Sequence, residues 1–161
     1  MRNRIVLTMG DPAGVGPEIC LKLLARLEGD SRPVIIGDVG ELRRQAEGLG
    51  LALHVVEIDS PALSRPEHGK VEVVQAGILS DTVTMGRIDA ACGQIAFDCV
   101  SAAIDLALSG EIDGIVTAPI NKAAMSEAGI AFPGHTEILA HHANCEVAMM
   151  LANEQLRVVL A

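Results

Sequence analysis

TMGDPAGVGPE, Thr8–Glu18, is the stretch that decides how this chain is read. It lies between an apolar run, Ile5-Val6-Leu7, and a run of helical character from Ile19 to Leu27. An apolar strand, a turn holding Gly10, Gly14 and Gly16, and a helix opening at Pro17 form the arrangement by which open α/β folds present backbone N–H groups to an anionic ligand. Glycine serves where a backbone must curl tightly or come close to a ligand. Pro17 suits a first helical position, where its missing N–H costs the helix nothing, and Glu18 suits the positive end of the helix dipole. A tight strand-to-helix connection accounts for the glycines equally well when the motif is taken alone. The usual nucleotide signatures are missing: there is no G-x-x-x-x-G-K-[ST], and Gly14-Val15-Gly16 lacks the third glycine of the dinucleotide fingerprint.

The 161 residues suffice for one domain with a sizeable core. Half of them are hydrophobic and the mean hydropathy is +0.38, which excludes a disordered chain. Aromatic residues make up only 1%, with no Trp or Tyr, so the core is built from Val, Ile, Leu, Ala and Met. Such a core suits a buried parallel sheet under Ala-rich helices, and it argues against a protein that stacks single-stranded bases on rings. A net charge of −9 repels nucleic acid and anionic membrane, so neither is expected as a partner. An anionic substrate therefore needs local donors.

Cys20, Cys92, Cys99 and Cys145 stand singly, without C-x-x-C spacing, and read as small buried thiols in a reducing cytoplasm. The apolar run after Met1-Arg2-Asn3-Arg4 is too short for a signal peptide. No stretch of about 18 uninterrupted apolar residues offers a membrane span.

Further along, Pro33–Asp38 reads as a second buried strand, 41–48 as a short helix, Leu51–Ile58 as a strand, 59–69 as a surface loop, and Val71–Ala76 as another strand. Ile19, Leu23, Leu24 and Leu27 recur at helical spacing, and Gly29-Asp30 stops that helix. Gly77–Gly86 reads as a polar loop. Ile88–Leu108 is the longest helical pattern, with Ile95, Cys99, Ala102, Ala103, Leu106 and Ala107 on a face of small residues and Gly110 ending it. The alternation predicts an α/β fold, a mostly parallel sheet with helices on both faces.

Ile112–Thr117 is a short strand delivering Ala118-Pro119-Ile120-Asn121-Lys122 to the rim where open sheets bind ligands, the rim that also carries the glycine turn. A third loop, Phe132-Pro133-Gly134-His135-Thr136-Glu137, opens a helix from Ile138 to Ala143. There an imidazole, a hydroxyl and free N–H groups can converge on one oxygen-rich group. Spacing alone favours Thr136 as a helix cap over a ligand contact. His141 and His142 point to different helix faces and read as structural rather than metal-binding. Val147–Leu151 and Leu156–Ala161 read as two strands, the second apolar to its last residue, and the chain is expected to be the front part of something longer.

TMGDPAGVGPE (8–18), VTAPINK (116–122) and FPGHTE (132–137) together resemble the family of 4-hydroxythreonine-4-phosphate dehydrogenases of pyridoxal phosphate biosynthesis. The match runs from Ile5 to the last residue. The first phrase is also similar to the GDGIGPE turn of the wider isocitrate and isopropylmalate dehydrogenase fold. Sister enzymes acting on D-threonate or D-erythronate 4-phosphate share these phrases, which leave the branch open.

The resemblance implies a cytoplasmic homodimer of two-domain subunits, with the first domain over residues 1–118 and the start of a substrate-binding and dimerisation domain over 119–161. It implies oxidation of a phosphorylated hydroxy acid by NAD or NADP, followed by decarboxylation, most simply of 4-phosphooxy-L-threonine to 3-amino-2-oxopropyl phosphate. A divalent metal such as zinc, magnesium or cobalt would polarise the reacting oxygen. By the same resemblance, His135 and Thr136 bind substrate, and Lys122 is a lesser candidate for its carboxylate or phosphate. Gly14, Gly16 and Asp11 are the candidates for cofactor binding, although Asp11 and Glu18 read equally well as turn and helix-start residues. None of His54, His68, His141 or His142 matches the family's metal ligands, so no metal ligand is expected within 1–161, and no catalytic residue is assigned. The 161 residues alone are expected not to turn over substrate. A non-catalytic anion-binding module is the alternative from another class; an acyl- or phosphotransferase finds no nucleophile motif.

Overall fold

The computed structural model describes residues 4–28, 32–80 and 82–160. Five strands, β1 (Ile5–Thr8), β2 (Val34–Gly37), β3 (His54–Glu57), β4 (Lys70–Gln75) and β5 (Gly114–Thr117), make one sheet in the order β3-β4-β2-β1-β5. Every pairing is parallel, so all five carboxyl ends share one rim. Between the strands run α1 (Gly16–Arg26), α2 (Val39–Gly48) and α3 (Ala90–Leu108). The chain steps from β1 to β2 in one direction and from β4 back across to β5 in the other. Right-handed crossovers then place α1 and α2 on one face of the sheet and α3 on the opposite one. Accordingly α1 packs on α2, while α3 lies along β1, β2 and β5.

The core is aliphatic, as the composition requires. Val6 and Leu7 of β1, Ile35 and Ile36 of β2, and Val71 and Val73 of β4 meet Leu21 and Leu24 of α1, Leu42 of α2, and Ile95, Cys99 and Ala103 of α3. On α1 the buried stripe is Cys20, Leu21 and Leu24, whereas Ile19 and Leu23, expected on the inner face, are exposed. The correction is one of phase: Gly16 and Pro17 are buried at the start of the helix and fix its rotation. The predicted stop at Gly29-Asp30 lies outside the described residues.

α3 is apolar on two sides. Its predicted face meets the sheet, and Val100 and Ile104 on the other side meet Met125 and Ile138. Those two residues belong to α4 (Lys122–Glu127) and α5 (His135–Ala143). At Gly93 the backbone of α4 comes so near that a Cβ would stand 2.2 Å from the Ala124 carbonyl. α3 is also long and apolar enough to cross a bilayer by length and composition. Ile95, Cys99 and Ala103 are buried against the sheet, and Val100 and Ile104 against α4 and α5, which makes it a core helix, with Leu108 exposed at its end.

α4 was not anticipated, because six residues carry too little periodicity to register. Its punctuation is nonetheless present: the Asn121 side chain accepts from Ala123 and Ala124 N–H, and Gly129 follows at φ +79°. β6 (Met149–Ala152) and β7 (Arg157–Leu160) form an antiparallel ribbon, exposed along its whole length. The loop 58–69 is tied down by Glu72 of β4, which accepts from Ser64 Oγ and Arg65 N and pairs with Lys70 at 2.6 Å. Burial alone would raise the Glu72 carboxyl, but Lys70, Ser64 and Arg65 outweigh it and hold it below the usual carboxylate range.

Candidate functional site

The glycine turn and the loop after β5 meet on the carboxyl rim. Ala118 N donates to Thr8 O at 3.2 Å, and Asp11 N donates to Pro119 O at 3.0 Å. Gly10 makes the junction possible, since at φ +74° a Cβ there would lie 2.4 Å from Pro119 O. Gly16 is packed equally tightly, its missing Cβ leaving room for the Met9 carbonyl. Asp11 is buried; its Oδ1 accepts from Ala13 N at 2.9 Å while its own carbonyl accepts from Gly14 N at 3.0 Å. Side-chain capture of an N–H two residues on is a turn device available to Asp. At Gly14 an added Cβ would meet the Asp11 carbonyl oxygen in ordinary contact at 3.4 Å, and α1 begins without a side-chain cap, which leaves first-turn N–H groups without an intrahelical partner.

The polar loop Gly77–Gly86, in its described residues 77–80 and 82–86, joins the same rim. Gly86 N donates to Ala13 O at 2.7 Å. Asp38, the buried cap of α2, takes Glu41 N on one oxygen and Leu79 N at 3.0 Å on the other. Gln45 Nε2 donates to Pro12 O and to Glu41. Together these bonds lay the loop across the glycine turn and leave a cleft of about 300 Å³, lined among others by Ser80, Thr82, Thr84, Arg87, Asp89 and Cys92. Strand alternation was the available signal, since a loop leaving β4 in a parallel sheet must emerge on that rim.

The Cys92 thiol is pushed up to about 11 by burial and by the Asp11 and Asp89 charges, so it is no nucleophile at neutral pH. Cys20 and Cys99 are raised by burial to about 12. Cys145 is exposed, against the expectation that the cysteines are buried, because it follows α5 where the chain leaves the core.

His135 and Thr136 are the first residues of α5, which starts three residues earlier than predicted. Gly134 occupies the cap position and no side chain caps the helix, so Thr136 is not the N-cap. The His135 ring is half-buried, with Nε2 shielded and without a hydrogen-bond partner among the described residues. Burial lowers its pKa and keeps the imidazole neutral at physiological pH. Lys122 opens α4 just beyond Pro119 and is exposed. Thus Asp11, Gly14, Gly16 and the approach to Lys122 are gathered at one junction. His135 and Thr136 sit on a separate helix held against α3, and no hydrogen bond links them to the turn among the described residues. No group of three or more His, Cys, Asp or Glu suited to a metal ion occurs among the described residues. His54 and His68 are exposed, and His141 and His142 pack on phenylalanine rings.

Known proteins share this layout. A 4-hydroxythreonine-4-phosphate dehydrogenase from Beijerinckia indica subsp. indica is 41% identical over 157 residues, which cover 97% of this chain and 47% of that protein. A D-threonate 4-phosphate dehydrogenase from Cupriavidus necator is 37% identical over 158 residues, with 96% and 47% covered. The crystal structure of a 4-hydroxythreonine-4-phosphate dehydrogenase from Burkholderia phymatum superposes with a TM-score of 0.91 at 38% identity, covering 99% of this chain and 49% of that one. The chain spans about half the length of the curated relatives it matches. The profile of the family described as "Pyridoxal phosphate biosynthetic protein PdxA" matches residues 30–161, and the chain belongs to that family.

Proposed function

We propose that these residues form the glycine-turn side of the active-site cleft of a nicotinamide-dependent dehydrogenase, which oxidises and decarboxylates 4-phosphooxy-L-threonine to 3-amino-2-oxopropyl phosphate. D-threonate or D-erythronate 4-phosphate is the alternative substrate, and relatives carrying both kinds of name match at similar identity. The observation that carries the reading is His135, an imidazole kept neutral by burial, with Nε2 unpartnered, at the first turn of a helix without a side-chain cap. A neutral imidazole donates or accepts according to its tautomer, so it can hold a hydroxyl, carboxylate or phosphate oxygen without burying a charge of its own. Thr136 adds a hydroxyl beside it, and Lys122 adds a cation at the rim.

The uncapped start of α1 fits the diphosphate of a dinucleotide, with Gly14, Gly16 and Asp11 shaping the turn around it. When bound, a nicotinamide supplies the hydride acceptor. A divalent metal does not fit the described residues, which gather no ligand set for one. The exposed ribbon of β6 and β7, apolar on both faces, supports a homodimer of two-domain subunits divided near 118 and 119. Free cysteines support a cytoplasmic setting. A non-catalytic module that keeps the anion pocket at the uncapped start of α1 is the second reading.

Steady-state kinetics of the natural gene product with both phosphorylated acids tests the proposal. His135→Ala is expected to lower kcat/KM by about 100-fold or more. Unchanged kinetics would return His135 to a packing role, and phosphate binding without turnover by the unaltered gene product would favour the module.

A further inference from the structure

The chain has two phenylalanines and no Trp or Tyr, and both phenylalanines stand in one place. Phe97 of α3 stacks on Phe132, which lies just ahead of α5, with ring centroids 5.8 Å apart. His142, near the end of α5, meets Phe97 edge-on at 5.5 Å, and His141 meets Phe132 at 5.2 Å. The two imidazoles are 5.7 Å apart, closing a ring of four. One turn along α3, Ser101 Oγ lies 3.5 Å from His142 Nε2. Between these two anchors Ile138 is fully buried against Val100, Ile104 and Met125.

Both ends of the segment 132–142 therefore rest on two adjacent turns of α3, and Phe97 touches both. His135 lies inside that segment. Its ring has no hydrogen-bond partner of its own among the described residues, and the helix it opens has no side-chain cap. The direction of the imidazole is thus inherited from how α5 is seated.

We propose that Phe97 is a positioning residue, which fixes the aim of the His135 imidazole by clamping Phe132 and His142, the two ends of the segment that carries it. This rests on the reading of His135 as the substrate-binding group. A helix seated by stacked rings at one end and an edge-on contact at the other can move only as a unit, so loss of the Phe97 ring frees both ends at once. Deleting the Ser101 hydroxyl loosens one end only.

Histidine-resolved NMR titration of the natural gene product, without any ligand, tests this. In the parent chain burial lowers the His135 pKa from its ordinary value. In Phe97→Leu its midpoint is expected to climb toward the ordinary value of about 6.5. Phe97→Tyr, which preserves the ring, is expected to restore the parent titration, and Ser101→Ala to give a smaller shift in the same direction. A folded Phe97→Leu protein whose His135 midpoint is unmoved overturns the proposal. Should Phe97→Leu fail to fold, Phe132→Leu carries the same expectation and the same refutation. Because no substrate is present, failure here leaves the kinetic test of His135 standing, and failure there leaves the clamp standing.

Discussion

Gly10 and Gly16 give way to carbonyl oxygens of Pro119 and Met9, so two glycines that read as an invitation to a ligand are first of all spent on the fold. Gly14 is less tightly held, since an added Cβ there would stand 3.4 Å from the Asp11 carbonyl oxygen, an ordinary contact. Sequence reading located the turn but could not divide its glycines between these duties, because a close approach of backbone to backbone leaves the same mark as one of backbone to ligand. His135 is different: its place before a helix offers it as a ligand group and the family resemblance favours that reading, but its burial and missing partner are invisible in FPGHTE. Its protonation also ties it to stability. Burial holds the folded pKa below the ordinary value, so the unfolded chain takes up the proton first as pH falls. The stability this group contributes is therefore complete above about pH 6.5 and drains away below it, until the folded imidazole is protonated too. Urea melts across that window are expected to show a shallower decline for His135→Gln than for the parent; parallel curves would mean the ring is not buried in solution.

At the scale of elements, legibility followed length. β1, β2, β4 and α3 were read within a few residues, because an apolar run of strand length or a helix of five turns declares itself. α4 leaves too short a pattern to read, and the polar loop Gly77–Gly86 hides its role, since its bonds to Asp38 and Ala13 join residues 41 and 73 positions apart. α3 gave up only one of its faces to inspection: a helix covered on two sides has no single stripe for periodicity to find. The second face is where the candidate site is supported, and Gly93 is its tightest point. A methyl group there would meet the Ala124 backbone, so Gly93→Ala must push α4 outward. Overpacking of this kind costs about 1–3 kcal/mol. Chemical denaturation is expected to show an earlier midpoint with an unchanged slope, and an unaltered midpoint would place the two helices farther apart than described.

Taken whole, the molecule is acidic, and its proposed substrate is a phosphate ester. With a net charge of −9, the approach of such an anion is opposed by the field of the protein. Added salt screens that repulsion over about 10 Å at 0.1 M. The kcat/KM of the natural gene product is thus expected to rise between low and moderate ionic strength, and a fall would show that local cations dominate the mouth of the site. Composition alone supplied the sign of this effect; which rim the anion approaches needed the sheet.

The stacked Phe97 and Phe132 also have an optical consequence. With no indole, phenol or disulfide in the chain, these two benzyl rings are the source of its near-ultraviolet circular dichroism. The vibronic bands of phenylalanine should therefore vanish when α5 lifts from α3, even while the far-ultraviolet helix signal persists. An unlabelled sample would then report the undocking of one helix.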